Sequence, residues 1–404
     1  MMQKGQWSQL GALGVLVLAL AAVSVSAPSC KDGAQAPDVG DLIPDSAIGP
    51  SCDAEPNEWR IGDLTLPSRD DAGSQANLFD IWGIDENAIW AVGSEGAVLF
   101  YNGEKWTRQK TPTMVQLTSV WGTDINDVWA AGFGGTVLHF DGTTWTDVPV
   151  PTDVFMEQVP DAGAPTGDAA AEVRQNLWGI WAAGRDGVTD ELWAVGDRGT
   201  VLHYDGVIWT RIDSEVEEKL SGVWAPRAGK VFIVGDFGTI LVGDQSGLAK
   251  QRLEVDDPAY EKFKSKALRA VWGRGGSDIY AVGLSGAIFH FNGNNWLLVG
   301  GAPPQMLRDV WGPPGSQTTY ILGWDGLLMR MNGRRGADVT FDLFNCISTH
   351  RLEGIWGTLV DGELRVPDAG LDAGPPDGSR GDYALPQVPA VWTVGVNETI
   401  IRGP

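Results

Sequence analysis

Three histidines are the residues of this chain best suited to metal chemistry by type. His139, His203 and His290 lie in the similar runs VLHF, VLHY and IFHF. Zinc binds histidine nitrogens at about 2.0–2.1 Å, so its ligands must converge on one point. The three runs occupy the same position of a sequence repeat, and equivalent positions on non-neighbouring units are too far apart to share one ion. His350 has no partner at ligand spacing. We therefore predict no metal site, no Ser-His-Asp arrangement and no cofactor.

Other short motifs also have structural interpretations. The paired glycines of GSEG or GDRG lack the Lys-Ser or Lys-Thr that follows a phosphate-binding loop, so we interpret them as hairpin turns. The segments NGEKW, DGTTW, DGVIW and NGNNW resemble the Asp-box of sialidase-like propellers with one residue missing, and that box is itself a turn. The RGD at 380–382 lies in a low-complexity insertion, so we do not interpret it as an adhesion site. None of these motifs predicts catalysis.

The elements that carry these residues form seven repeats. Each unit begins with an apolar-x-x-apolar-Trp pattern such as LFDIWG or LTSVWG. Two pairs of consecutive units, at Trp82 to Trp121 and at Trp272 to Trp311, are 39 residues apart, and the other spacings are longer. The aligned tryptophans are Trp82, Trp121, Trp181, Trp224, Trp272, Trp311 and Trp356.

Each unit contains four short apolar runs separated by turn signals. A second aromatic residue precedes a glycine, a Gly-x-x-Gly pair follows in six units, and an Asn-Gly or Asp-Gly pair precedes a third Trp in four of them. Four strands in about 40 residues, repeated, indicate an all-β protein, a seven-bladed β-propeller. The seventh unit lacks a fourth run, and NEWRIGDLTLP, with Trp59, resembles the missing one. We predict that this N-terminal strand closes the last blade.

The N-terminus has the layout of an export signal. Lys4 precedes an apolar run from 10 to 25, which is shorter than the roughly 20 residues of a membrane-spanning helix. The run leads through Ala27-Pro28-Ser29 to Cys30, so we predict residues 1–29 as a signal peptide and Cys30 as a lipidated first residue. An ordinary cleaved signal is the alternative. Cys52 and Cys346 then remain, either as one disulfide or as two unpaired thiols.

Composition divides the rest of the chain and limits its partners. Residues 30–56 are rich in Pro, Gly, Asp and Ala and predict a flexible tether, before a propeller over 57–404 with low-complexity insertions at 151–176 and 358–389. Lys and Arg number 29 against 52 Asp and Glu, giving a net charge of −23. This excludes nucleic acid as a partner, because binding to its phosphates depends on basic residues. The membrane is a partner only through an N-terminal lipid, and we expect a monomer.

Variation between the paired glycines is the strongest functional signal in the repeats. These residues lie at the turns between second and third strands, and the turns of successive blades form a ring on one face of the disc. We predict a binding face there, with Phe133, Phe237 and Trp324 as exposed aromatics and Arg198 as a charged contact. The alternative is that the aromatics fold inward and cap the channel.

The unit DVWAAGFGGTVLHFDGTTW at 127–145 resembles repeats of exported bacterial propellers related to the photosystem II stability and assembly factor group and to the BNR/Asp-box superfamily. The resemblance covers about residues 57–404, and the N-terminus and insertions resemble cell-envelope proteins of myxobacteria. It implies a non-catalytic binding or assembly scaffold at the outer membrane, with an envelope protein or a glycan as partner. The alternative is a hydrolase or lyase of polysaccharide, with acidic residues at the central channel.

Overall fold

A computed structural model describes most of the repeat region of the chain. The described residues are 60–61, 76–150, 175–185, 188–227, 230–251, 253, 263, 266–299, 302–313, 315–333, 339–344, 348, 351–361, 387–396 and 399–403. In these residues the chain forms seven four-stranded antiparallel sheets, each a blade of a β-propeller. The predicted fold class is confirmed.

Each of the first four blades runs from an inner strand outward in chain order. Blade one is β2 (Leu78–Asp85), β3 (Ala88–Gly93), β4 (Val98–Tyr101) and β5 (Trp106–Arg108). Blade two is β6 (Leu117–Asp124), β7 (Asp127–Gly132), β8 (Val137–Phe140) and β9 (Trp145–Asp147). Blade three is β10 (Leu177–Arg185), β11 (Val188–Gly196), β12 (Val201–Tyr204) and β13 (Trp209–Arg211). Blade four is β14 (Leu220–Arg227), β15 (Lys230–Gly235), β16 (Ile240–Asp244) and β17 (Gly247–Lys250).

The last three blades complete the ring. Blade five is β18 (Leu268–Gly275), β19 (Asp278–Gly283), β20 (Ile288–Phe291) and β21 (Trp296–Leu298). Blade six is β22 (Leu307–Trp311), β23 (Thr318–Gly323), β24 (Leu328–Asn332) and β25 (Thr340–Phe344). Blade seven is β26 (Leu352–Asp361), β27 (Gln387–Gly395), β28 (Thr399–Gly403) and β1 (Arg60–Ile61).

The first and last described strands meet in blade seven. Strand β1 pairs antiparallel with β28, with Arg60 opposite Arg402 and Ile61 opposite Ile401. The predicted N-terminal closing strand is therefore confirmed, although Trp59 itself lies outside the described residues. Because the first and last strands pair, blade seven does not leave its fourth position open.

The repeated tryptophans hold neighbouring blades together. Trp82 of blade one lies against blade two so closely that a Cβ placed on Gly122 would come within 2.6 Å of its ring. The ring of Trp356 takes the same position against Gly83, across the junction between blade seven and blade one. Burial of these large side chains removes much apolar surface from water, which is the main stabilising term of such a fold. At Gly122 and Gly83 the absence of a side chain leaves room for the indole of the neighbouring blade.

Blade seven has a longer hairpin than the sequence indicates. Residues 358–361 and 387–389, assigned above to the insertion, belong to β26 and β27, and Asp361 pairs with Gln387 at the end of the hairpin. The predicted signal peptide, tether and lipidated Cys30, both remaining cysteines, His350 and the RGD lie outside the described residues. Within the described part, no helix is long and apolar enough to span a membrane.

Candidate functional site

The turns between second and third strands form a ring on one face. In blade one, Ala97 N–H donates to the Ser94 carbonyl at 3.0 Å, and both central residues have positive φ, 56° at Glu95 and 65° at Gly96. Positive φ at both central positions is the requirement of a tight type I′ hairpin. The Gly-x-x-Gly segment is therefore a hairpin turn, as predicted, with its first glycine, Gly93, ending β3 in an extended conformation and its second, Gly96, at a central position of the turn. The first residue of each tip also donates its N–H to the carbonyl just before the inner strand, as Ser94 does to Asn77 at 2.8 Å.

A second ring lies beside the tips, and it consists of β-bulges. In every blade the pairing of the inner strand shifts register just after its first leucine, which leaves the next residue outside the ladder. A bulge re-aims the side chain that it frees. All seven freed residues line the mouth of the central channel: Phe79, Thr118, Trp178, Ser221, Arg269, Arg308 and Glu353.

The channel mouth is rich in cations. Its cavity of about 550 Å³ is lined by four basic side chains on consecutive blades: Lys219, Arg269, Arg308 and Arg351. Arg269 donates to Asp236 of a neighbouring tip at 3.0 Å. Glu353, whose side chain is 3% exposed, forms ion pairs with Arg308 and with Arg351, the second at 3.4 Å. In a chain with a net charge of −23 this concentration of positive charge marks the mouth as distinct from the rest of the surface.

Two tryptophans hold cations at the mouth. The ammonium nitrogen of Lys219 lies 3.4 Å from the ring centre of Trp178, and the Arg351 guanidinium lies 4.2 Å from that of Trp324. The Trp178 indole is fixed in turn, because its Nε1 donates to Asp197 Oδ1 at 2.7 Å. Burial, together with the nearby charge of Arg269, lowers the pKa of Lys219 to about 8.

Two carboxyl groups lie deeper in the same cavity. Asp80 accepts from Val120 N–H at 2.9 Å and from the Ser119 hydroxyl at 2.8 Å, and Asp309 accepts from Ile355 N–H at 2.9 Å. Each carboxyl thus ties its own blade to the next one. Burial raises the pKa of Asp80 to about 6. Burial and the charge of Asp80 raise the pKa of Asp309 to about 8.

The predicted binding residues all lie at tips, but they differ in exposure. Phe237 is 69% exposed and Arg198 is exposed as well. Phe133 is half-buried, with its ring centre 5.2 Å from that of Trp178, and Trp324 is half-buried under Arg351. The expected exposure of aromatics therefore holds for Phe237, whereas Phe133 and Trp324 pack at the mouth, as the capping alternative described.

The three repeat histidines are paired within their own blades. His139 Nε2 lies 2.8 Å from Asp127 Oδ1, His290 Nε2 lies 2.8 Å from Asp278 Oδ1, and His203 similarly faces Glu191 at 3.3 Å. In each case the acid is on the second strand and the histidine on the third. Among the described residues, no group of three or more His, Cys, Asp or Glu could hold a metal ion.

Sequence reasoning missed the bulge ring, although the repeats contain its signal. The residue after the first leucine changes from blade to blade, for example Phe79, Trp178 and Arg308, within an otherwise regular pattern. Lys219 and Arg351, which immediately precede their inner strands, vary in the same way and also line the cavity.

The sheets define a seven-bladed β-propeller, and solved structures agree on the fold. A structure of YCF48 bound to D1 peptide is 14% identical with a TM-score of 0.54, covering 87% of this chain and 96% of that one. YCF48 from Cyanidioschyzon merolae is 12% identical with a TM-score of 0.53, covering 84% and 97%. The RRP9 WD40 repeats are 10% identical with a TM-score of 0.55, covering 82% and 95%.

At such identities these structures establish that the chain shares the β-propeller fold, and the fold alone. No family model matches the sequence. No curated protein matches it either.

Proposed function

We propose that the chain is a non-catalytic protein-binding scaffold of the cell envelope, which takes a segment of its partner at the channel mouth. The observation that supports this most is the bulge ring: seven side chains freed from the ladder border a cavity of about 550 Å³. A cavity of that size is within the usual range for ligand pockets. Among similar folds, YCF48 has been solved with a bound peptide, and the RRP9 WD40 repeats are a further similar propeller.

Crosslinking at single positions tests this docking site. A photoreactive side chain at position 237, on a tip beside the mouth, is expected to capture an envelope partner in intact cells. The control is the same side chain at position 207, because Val207 is 80% exposed but lies in the turn between third and fourth strands, on the opposite face. Equal capture at both positions, or capture only at 207, contradicts the proposal.

We propose the N-terminus as the anchor of this scaffold, with Cys30 acylated at the outer membrane. The support is the export-type leader that ends in this cysteine. An acylated N-terminal Cys30 in the mass spectrum of the purified mature protein is the expected result, and an unmodified start elsewhere excludes the anchor. Pairing of Cys52 with Cys346 is checked in the same spectrum, by the mass change on reduction.

A polysaccharide hydrolase is the second candidate function, favoured by one observation. Asp80 and Asp309 line the channel, and their pKa values are raised to about 6 and about 8, as a general acid requires. Both groups also accept backbone N–H bonds from neighbouring blades, which supports a structural role instead. Release of reducing sugar from envelope polysaccharide that disappears in Asp80→Asn and Asp309→Asn would favour the hydrolase over the scaffold.

A further inference from the structure

The basic side chains of the mouth differ in how well their charge is compensated. Arg269 is paired with Asp236, and Arg308 and Arg351 share Glu353. Among the described residues, no carboxylate oxygen lies within 4.0 Å of the Lys219 ammonium. Its contact is the Trp178 ring, and it is half-buried beside two further cations, Arg269 and Arg308, while the carboxylates of Asp236 and Asp197 act on it from beyond ion-pair distance and offset only part of the effect of burial. Lys219 is therefore a cation partly removed from water without a directly bound anion.

We infer that the mouth binds a peptide through a carboxylate, from an acidic side chain or a chain end, and that Lys219 is the residue that contacts it. This inference rests on the proposed docking function and names the chemistry of the docked segment. The mouth already binds carboxylates of its own, because Asp236 and Glu353 lie against Arg269, Arg308 and Arg351. A ligand carboxylate beside Lys219 would give this cation a contact like those that Arg269, Arg308 and Arg351 already make with carboxylates of the protein.

The aromatic residues of the mouth favour a peptide over a glycan. Sugar recognition by tryptophan needs an open ring face. Here one face of Trp178 is covered by Lys219, and Phe133 packs edge-on against the same indole at 5.2 Å between ring centres. A face of Trp324 is covered by Arg351 at 4.2 Å. These rings therefore position cations. They point to recognition of charge, and carboxylates are the anions that the mouth's own cations already contact.

Binding of this kind must be linked to protons at Lys219. The free protein has a Lys219 pKa of about 8, and a bound carboxylate raises it, because a negative neighbour favours the ammonium form. Below the free pKa the lysine is charged in both states and affinity is constant. Above it, binding must take up a proton, so affinity falls as pH rises. Peptide carboxylates stay ionised throughout this range.

Selection from a random peptide library displayed on phage, against the immobilised full chain, tests the inference. Enrichment of peptides containing Asp, Glu or a free C-terminus near a common position is expected, with affinity lost when the carboxylate is converted to an amide. Lys219→Gln should weaken the selected peptide by about tenfold or more, as loss of a charged hydrogen bond does. Lys105→Gln, an exposed lysine in the turn between third and fourth strands, is the matched control and should change nothing.

Calorimetry in two buffers of different ionisation enthalpy, at about pH 8, measures the number of protons that the protein takes up when the peptide binds. Net proton uptake is expected for the wild type, and Lys219→Arg should keep the affinity while losing both the uptake and the fall in affinity above about pH 8. The inference is overturned by selection of peptides without carboxylates, by no selection at all, by insensitivity to Lys219→Gln, or by tighter binding of oligogalacturonate as an anionic glycan. If crosslinking from position 237 still captures a protein in those cases, docking stands and only the carboxylate chemistry is wrong.

Discussion

At the scale of the residue, two kinds of ionisable group in the channel have pKa values shifted by burial. Near the mouth Lys219 is a cation whose charge burial disfavours, and deeper down Asp80 and Asp309 are carboxyls whose charge burial also disfavours. The two carboxyl groups help to hold neighbouring blades together, because each accepts a hydrogen bond from a backbone N–H of the next blade. Their protonation therefore affects the stability of the ring, while that of Lys219 affects binding.

The folding stability should depend on pH through Asp309. Its pKa is about 8 in the folded protein against 3.8 as the ordinary value, so between these the folded state holds a proton that the unfolded chain has released. Stability then falls as pH rises through this window. Asp309→Asn keeps one oxygen acceptor and should remove the fall above about pH 6, where Asp80 contributes little, gaining at least about 1.4 kcal/mol relative to wild type between about pH 6 and pH 8. Urea unfolding at several pH values measures it.

Asp141→Asn is the control for that measurement. Backbone N–H groups of Thr144 and Thr143 lower the pKa of this exposed carboxyl, so its contribution to stability is lost only in more acidic solution. Above about pH 5 the slope of the free energy of unfolding against pH should therefore stay as in the wild type. An Asp309→Asn variant with an unchanged slope would mean that another group titrates.

At the scale of the strand, each inner strand performs two tasks with adjacent segments. Its bulged second residue faces the channel mouth, and its tryptophan further along, followed by Gly in five blades and by Ala in blades three and four, packs against a neighbouring blade. The ladder resumes after the bulge, so the identity of the freed residue does not disturb the pairing that follows. This explains why Thr118, Arg269 and Glu353 can occupy one structural position without changing the blade.

In blade two, Gly122 should accept a side chain only at a cost, although Ala182 and Ala225 occupy the equivalent position of blades three and four. Gly122→Ala places a methyl group within 2.6 Å of the Trp82 ring and 2.9 Å of the Asp127 carbonyl, so we expect a loss of about 1–3 kcal/mol in the free energy of unfolding. Gly275→Ala is the matched control, because a Cβ there meets no atom within 4 Å, and its effect should be within about 0.5 kcal/mol. Similar losses in both, measured by urea unfolding, would show that the indole contact does not explain the effect.

The sequence predicts the blades well because the aligned tryptophan recurs in all seven repeats and the Gly-x-x-Gly turn in six of them. Seven aligned tryptophans and the glycine-paired turns are enough to place the strands and the closing strand. Whether an aromatic at a tip is exposed is a different matter, because it depends on tertiary neighbours: Phe133 meets Trp178 and Trp324 meets Arg351, whereas Phe237 remains exposed. The bulge could not be predicted either, since a register shift is a property of two strands and has no turn residue to mark it.

At the scale of the whole molecule, the ring depends on a short closing strand. Only Arg60 and Ile61 form the described pairs with β28, and the Trp356–Gly83 contact supports the same junction between blades seven and one. A closed ring gives every blade two neighbours, while an open one leaves two blade faces in water.

Removing the closing strand should loosen the protein measurably. A chain that starts after residue 61 is expected to melt at least about 2–4 °C below one that starts at residue 57, because the lost pairing leaves β28 as an exposed edge. Differential scanning calorimetry compares the two. The chain from 57 serves as the control and should match the chain from 31. If all three melt together, strand β1 does not contribute to ring stability.

The closing strand also has a consequence for synthesis. Arg60 is made before all seven inner strands, but its partner Arg402 follows them, so the first strand must wait until every other strand of the propeller has been made. Blades one to six can form earlier, since each is built from consecutive segments. Until β28 is available, however, an unpaired strand and an unfinished seventh blade are accessible to any other chain nearby. The contact of longest sequence separation is thus the last to form, and this interval is when the propeller is most exposed to mispairing.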